Sequence, residues 1–108
     1  MLEISPGKIA QIVLMARELG RGEGELRQFI DRLNEDEQAS LVAVMWIGRD
    51  SFVAEELQEA ILTARAEATT PTADYLIGTP HMSDHLENGM DELGISLTDF
   101  EDDLVRGG

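Results

Sequence analysis

Between Asn34 and Asp50 the chain reads NEDEQASLVAVMWIGRD, and the unbroken apolar run inside it, Leu41 to Ile47, constrains the fold more than any other feature. A surface helix keeps only an apolar stripe, so a helix that is apolar all round must be surrounded by others. Helix-start chemistry precedes the run. Asn34 suits the N-cap, Glu37 three residues on completes a capping box, and Glu35 and Asp36 bring negative charge to the positive end of the helix dipole. Gly48 is the expected stop, a residue free to turn left-handed. A central helix over about 35–47 follows, and the rest of the chain has to cover it.

That cover also reads as helical. Ser5 as N-cap and Pro6 at N1 open a first helix over about 6–19, with Ile9, Ile12, Val13, Ala16 and Leu19 as its core stripe and Leu14 and Met15 widening it. Gly20-Arg21-Gly22-Glu23-Gly24 reads as a flexible joint. A short helix over about 25–33 turns Leu26, Phe29, Ile30 and Leu33 inward and Arg27, Asp31 and Arg32 outward. Ser51 is the expected N-cap of a helix over about 52–68 with Val53, Leu57, Ile61, Ala64 and Ala68 inside. Its inner residues become small toward the end, which lets a neighbour approach closely.

Thr70-Pro71 and Thr79-Pro80 repeat one helix-start pattern, a hydroxyl at N-cap and Pro at N1, and predict helices over about 71–77 and 80–93. Gly78 closes the first. The second buries Met82, Leu86, Met90 and Leu93 and ends at Gly94, with Ile95 folding back on Met90 in a Schellman-type turn. Thr98 and Glu101 form a capping box for a last short helix over about 99–105, which offers Phe100 and Leu104 for docking. No period-two run of β-branched residues marks a strand. The expectation is all-α: a compact single-domain bundle of five or six helices around the central one.

Composition limits function. At 108 residues and 43% hydrophobic content the chain is one globular domain. The absence of cysteine removes disulfides and thiolate metal sites and suits a reducing, cytoplasmic setting. The first apolar stretch is broken by Arg17 and Glu18 and lacks a small-residue cleavage site, so it reads as mature helix rather than signal peptide. No apolar run approaches the roughly 18 residues of a membrane span. The net charge of −14 lies almost wholly beyond residue 33. Such acidity repels phosphate backbones and anionic lipid, so neither nucleic acid nor membrane is an expected partner. Another protein is, and apolar surface on the first and central helices adds a homodimer to the expectations.

Two constellations bear on chemistry. His81 and His85 stand at i, i+4 with Asp84 beside them, a spacing that would put two imidazoles on one helix face around a metal. The pattern is a loose relative of H-x-x-E-H, with a shorter carboxylate in place of the base. Read plainly, His81 decorates a first turn, where a cation is mildly disfavoured, and His85 flanks the core stripe beside Leu86. The second set is Trp46, Arg49, Asp74 and Tyr75. Trp46 and Arg49 share a face at the end of the central helix, with Asp50 or Asp74 as carboxylate partners for the guanidinium. Here the plain reading is a core indole, a C-terminal cap and a packed phenol. Nucleophilic cysteine, phosphate-binding glycine loops and calcium loops are absent, and no cofactor is expected.

The blocks ISPGKIAQIVLMARELG (4–20), LNEDEQASLVAVMWIGRD (33–50) and TADYLIGTPHMSDHLENGM (72–90) resemble a bacterial family known as domain of unknown function 3775. The likeness runs over about residues 4–93 and is most specific at Trp46-Ile47-Gly48-Arg49 and Tyr75-Leu76-Ile77-Gly78-Thr79-Pro80. It implies a small helical protein and assigns no activity, cofactor or catalytic residue. The leading functional expectation is therefore a non-enzymatic interaction or regulatory module that meets another protein through a mixed apolar and acidic face. The alternatives are a metal-binding protein or metal-dependent hydrolase using His81, Asp84 and His85, and an acidic mimic of nucleic acid.

Overall fold

The computed structural model describes residues 2–18 and 22–97. Six α-helices follow one another: α1 (Pro6–Arg17), α2 (Gly22–Asp31), α3 (Glu35–Gly48), α4 (Leu57–Ala66), α5 (Thr72–Ile77) and α6 (Met82–Glu92). A 3-10 turn, Ala54–Glu56, leads into α4. The chain is all-α, with no strand among the described residues. None of these helices is long and apolar enough to cross a membrane. The helix expected over 99–105 lies outside the described residues.

The central helix begins as its residues dictate. The Asn34 side chain accepts from the Glu37 N–H at 2.8 Å, and the Glu37 carboxylate accepts from the Asn34 N–H at 3.0 Å. From Ala39 to Gly48 every residue is buried. One of them is polar: the Ser40 hydroxyl accepts from the Glu3 N–H at 3.0 Å, which pins the entering chain and Ile4 to the side of α3. Helices α4 and α6 pack on α3, α1 packs on α6 and α2, and α2 packs on α5. Ser5 caps α1 by accepting from the Lys8 N–H. Ile9, Ile12, Val13, Leu26, Ile30, Met82, Leu86 and Met90 fill the core as their spacing predicts.

Gly48 serves a different end from the one expected. It is the last residue of α3, and the left-handed position after the helix belongs to Asp50, at φ 65°. The Ser51 N–H reaches the Trp46 carbonyl and the Asp50 N–H the Ile47 carbonyl, a Schellman ending with aspartate where glycine is usual. Gly48 is needed for proximity instead. A Cβ there would lie 1.6 Å from the His85 carbonyl oxygen, and one on Gly89 would lie 2.1 Å from the Val44 carbonyl oxygen. The backbones of α3 and α6 thus touch at two reciprocal points, one glycine from each.

Other boundaries shift for local reasons. Of the expected flexible joint, Gly22, Glu23 and Gly24 form the start of α2, while Gly20 and Arg21 lie outside the described residues. Ser51 does not cap α4, because its hydroxyl accepts from Arg49 Nε at 3.1 Å. The Val53 N–H is met by the Glu56 carboxylate, and the intervening 3-10 turn has three residues per turn rather than 3.6. Within α4 the expected stripe holds at Leu57, Ile61 and Ala64, while Val53 precedes the turn and Ala68 lies beyond the helix end. Ala60, Ile61 and Ala64 are buried, whereas Val53 is 53% exposed and Ala68 is also outside. Helices α5 and α6 begin one and two residues later than the Thr-Pro pattern predicts. Pro71 stays extended (ψ 134°) as the N-cap of α5, and Thr79 turns back to donate to the Tyr75 carbonyl at 2.7 Å. The end of α6 is as expected, with Gly94 at φ 82° and the Ile95 N–H on the Met90 carbonyl at 2.8 Å.

The two glycine contacts set a testable asymmetry. Gly48→Ala and Gly89→Ala must push backbone against backbone and should each cost at least about 3 kcal/mol of stability. Gly24→Ala meets open space within a helix and should stabilise by about 0.5–1 kcal/mol. Urea denaturation of the three variants checks both signs. The capping box adds a pH dependence. The Lys8 ammonium, 2.6 Å away, and the Asn34 N–H hold the Glu37 carboxyl below its usual value. A group depressed on folding stabilises above its unfolded pKa, about 4.3, and loses that contribution as pH falls through the folded value. The stability gap between the native protein and Glu37→Gln should be full at neutral pH and close as acid unfolding approaches.

Candidate functional site

Of the aromatic set only Trp46 and Tyr75 come together, and the histidine set does not. Trp46, on the last turn of α3, is 8% exposed and stacks on Phe52 with ring centroids 5.8 Å apart. Its indole N–H donates to the Tyr75 hydroxyl at 2.8 Å, tying the centre of the bundle to α5. Tyr75 is half-buried against the core. Asp74 does not reach Arg49; it pairs with Arg27 of α2 and holds that guanidinium above its usual pKa by the hydrogen bond it accepts. Nor does Arg49 find a carboxylate among the described residues. It is exposed at the C-cap of α3 and donates to Ser51. The aromatic–cation surface expected from Trp46 and Arg49 is therefore a core indole and a capping arginine.

His81 precedes α6 rather than sitting in its first turn. It is the N-cap residue, left-handed at φ 61°, with a side chain 78% exposed. Its Nδ1 lies 3.9 Å from the Asp84 carboxylate. The same carboxylate accepts from Arg17 at 2.9 Å, while Glu87 accepts from Arg17 at 2.7 Å. His85 is half-buried within α6, its carbonyl against Gly48. The imidazoles stand in different backbone conformations, so the helical i, i+4 geometry that motivated a metal site does not apply. Among the described residues no three His, Asp or Glu side chains gather closely enough to hold a metal ion.

A groove is what sequence reasoning missed. It runs between the first half of α3, the last turn of α4 and the linker 67–71. Its outer trough, about 620 Å³, is lined by Glu35, Gln38, Ala39, Val42, Arg65 and the linker. At its inner end a pocket of about 200 Å³ opens between Val42, Trp46, Ala64, Ala68, the threonines 69, 70 and 72, Tyr75 and Glu67. The signal was present as the small residues Ala39, Ala64 and Ala68. Toward the end of α4 they were expected to admit a close neighbour; instead the helices diverge and the space stays open.

The electrostatics around this groove are one-sided. Lys8, Arg17, Arg27 and Arg65 each tie two segments together: Lys8 to Glu37, Arg17 to Asp84 and Glu87, Arg27 to Asp74, and Arg65 to both Glu3 and Asp36. Glu35 and Glu67, which line the groove, pair with no basic side chain among the described residues.

The Trp46–Tyr75 bond makes a direct test of the pocket wall. Tyr75→Phe leaves a nearly buried indole N–H without its acceptor and should cost about 1–2 kcal/mol. The indole N–H resonance and the urea midpoint report it. Comparison with curated proteins and with solved structures finds no match. The family model described as "Protein of unknown function (DUF3775)" does match, over residues 23–95. That span leaves out α1, which the sequence likeness had included, and holds the whole groove. The chain belongs to the family of domain of unknown function 3775.

Proposed function

We propose that this protein is a non-enzymatic interaction module that docks a basic, partly apolar segment of another protein in the groove between α3, α4 and the linker 67–71. The observation that carries this reading is the pairing of an open groove with uncommitted carboxylates. Arg65, the cation in the groove lining, is engaged by Glu3 and Asp36. A second copy of the chain would bring another −14 of charge to the contact, so a basic partner is the better complement. The groove walls combine aliphatic, aromatic and hydroxyl groups, the mixture an interface uses to bury apolar surface while matching polar atoms.

Two variants test it without entering the core. Ala68→Phe fills the groove from an exposed position, and a combined Glu35→Lys, Glu67→Lys change reverses the charge of its lining. Immobilised native protein should retain basic proteins from lysate at low salt and release them as the ionic strength rises toward about 0.5 M. Both variants should fail to retain the same proteins. An identical retained set on all three, or none retained at any salt, overturns the proposal.

A further inference from the structure

The inner pocket is more selective than the trough that leads to it. At about 200 Å³ it has room for one side chain and falls below the roughly 300–1,000 Å³ of small-molecule and cofactor sites. Its lining has two characters. Val42, Ala64 and Ala68 give aliphatic walls, and Trp46 and Tyr75 give aromatic ones. Glu67 and the hydroxyls of threonines 69, 70 and 72 supply oxygen acceptors at the same cavity. An occupant that satisfies both needs an apolar stem and a cationic, hydrogen-donating head. Arg65 is the nearest cation in the lining of the groove; it borders the outer trough, not the pocket, and is already matched by Glu3 and Asp36.

Tyr75 adds a separate pointer. Its oxygen accepts the Trp46 indole N–H, and among the described residues its own proton has no acceptor. A phenol placed so offers a donor at the pocket wall, which suits the carbonyl of a peptide whose side chain has entered. The lining thus asks for a donor head, an apolar stem and a nearby acceptor.

Resting on the docking reading above, we infer that the Trp46–Tyr75 pocket takes the side chain of a lysine from the partner's docked segment. The methylene stem lies along Val42, Ala64 and Ala68, as such stems do on apolar surface. The ammonium meets the Glu67 carboxylate and the threonine hydroxyls, with the aromatic rings adding attraction for a cation. A peptide carbonyl beside the lysine accepts from Tyr75.

Trp46 is the sole tryptophan of the sequence and stands in the pocket wall, so its fluorescence and its indole N–H resonance read occupancy directly. The probes are acetyl-Gly-Gly-Lys-Gly-Gly-amide and its norleucine counterpart, which keeps the stem and lacks the charge. The lysine peptide should give a saturable change and bind about tenfold more tightly than the norleucine peptide. Glu67→Gln should erase most of that difference while leaving norleucine binding unchanged, and Ala68→Phe should abolish both. Equal binding of the two peptides, or no saturation by the lysine peptide up to about 10 mM, overturns the inference. Lysate capture with Ala68→Phe separates the two ideas. Capture lost with this variant while the peptides fail to discriminate retires the lysine and keeps the docking groove. Capture that survives Ala68→Phe retires the groove itself.

Discussion

Two helices in this protein meet with nothing between their backbones. Gly48 of α3 lies against the His85 carbonyl of α6, and Gly89 of α6 lies against the Val44 carbonyl of α3. Helices normally pack about 8–10 Å apart because side chains hold them off, and removing the side chain from each at the crossing lets α6 settle deep onto one flank of α3. The rest of the arrangement follows from that approach. With α6 so close, Met82, Leu86 and Met90 complete the cover on one side, and α1 reaches over α6 to bury Ile9, Ile12 and Val13. On the opposite flank α4 makes contact through Ala60, Ile61 and Ala64. Its small residues leave open space where it turns away. One flank of α3 is closed by glycine, and the other is left partly open by alanine.

Charge is distributed on the same logic. A chain with 8 basic and 22 acidic residues cannot neutralise its own surface, and the way it spends its cations is informative. Lys8, Arg17, Arg27 and Arg65 all bridge elements that are distant in sequence. Exposed ion pairs contribute only about 0–1 kcal/mol each, so these are better understood as fixing which helix lies beside which. What they leave uncovered is carboxylate, Glu35 and Glu67 of the groove lining included.

How much of this was legible in the sequence depended on the range of the interaction. Caps at Ser5, Asn34 and Gly94 are contacts between residues a few positions apart, and each could be read from side-chain chemistry alone. The apolar run of α3 announced its burial for the same reason. Gly48 was misread because a glycine that turns a chain and a glycine that admits a neighbour look alike until the neighbour is known. The Thr-Pro pairs misled by one or two residues, since Pro71 keeps an extended ψ and Thr79 caps the helix behind it. Trp46 and Tyr75 stand in one candidate set on sequence grounds, but the bond that joins them spans 29 positions and has no local signature. The groove depends on the divergence of two helices, which no local pattern encodes.

The wall that Tyr75 contributes belongs to α5, a helix of 6 residues. A segment this short has no helical stability of its own in water and persists only while something holds it. Here the holders are the buried Leu76, the ion pair from Arg27 and the hydrogen bond from Trp46. Order in this part of the molecule is therefore a local equilibrium, set partly by α2 on the far side of α5 from the indole. Any guest that needs the phenol in place is thermodynamically linked to that equilibrium, and its apparent affinity scales with the fraction of molecules in which α5 is docked. For such a guest the strength of recognition would thereby be adjustable from α2, through residues outside the pocket lining.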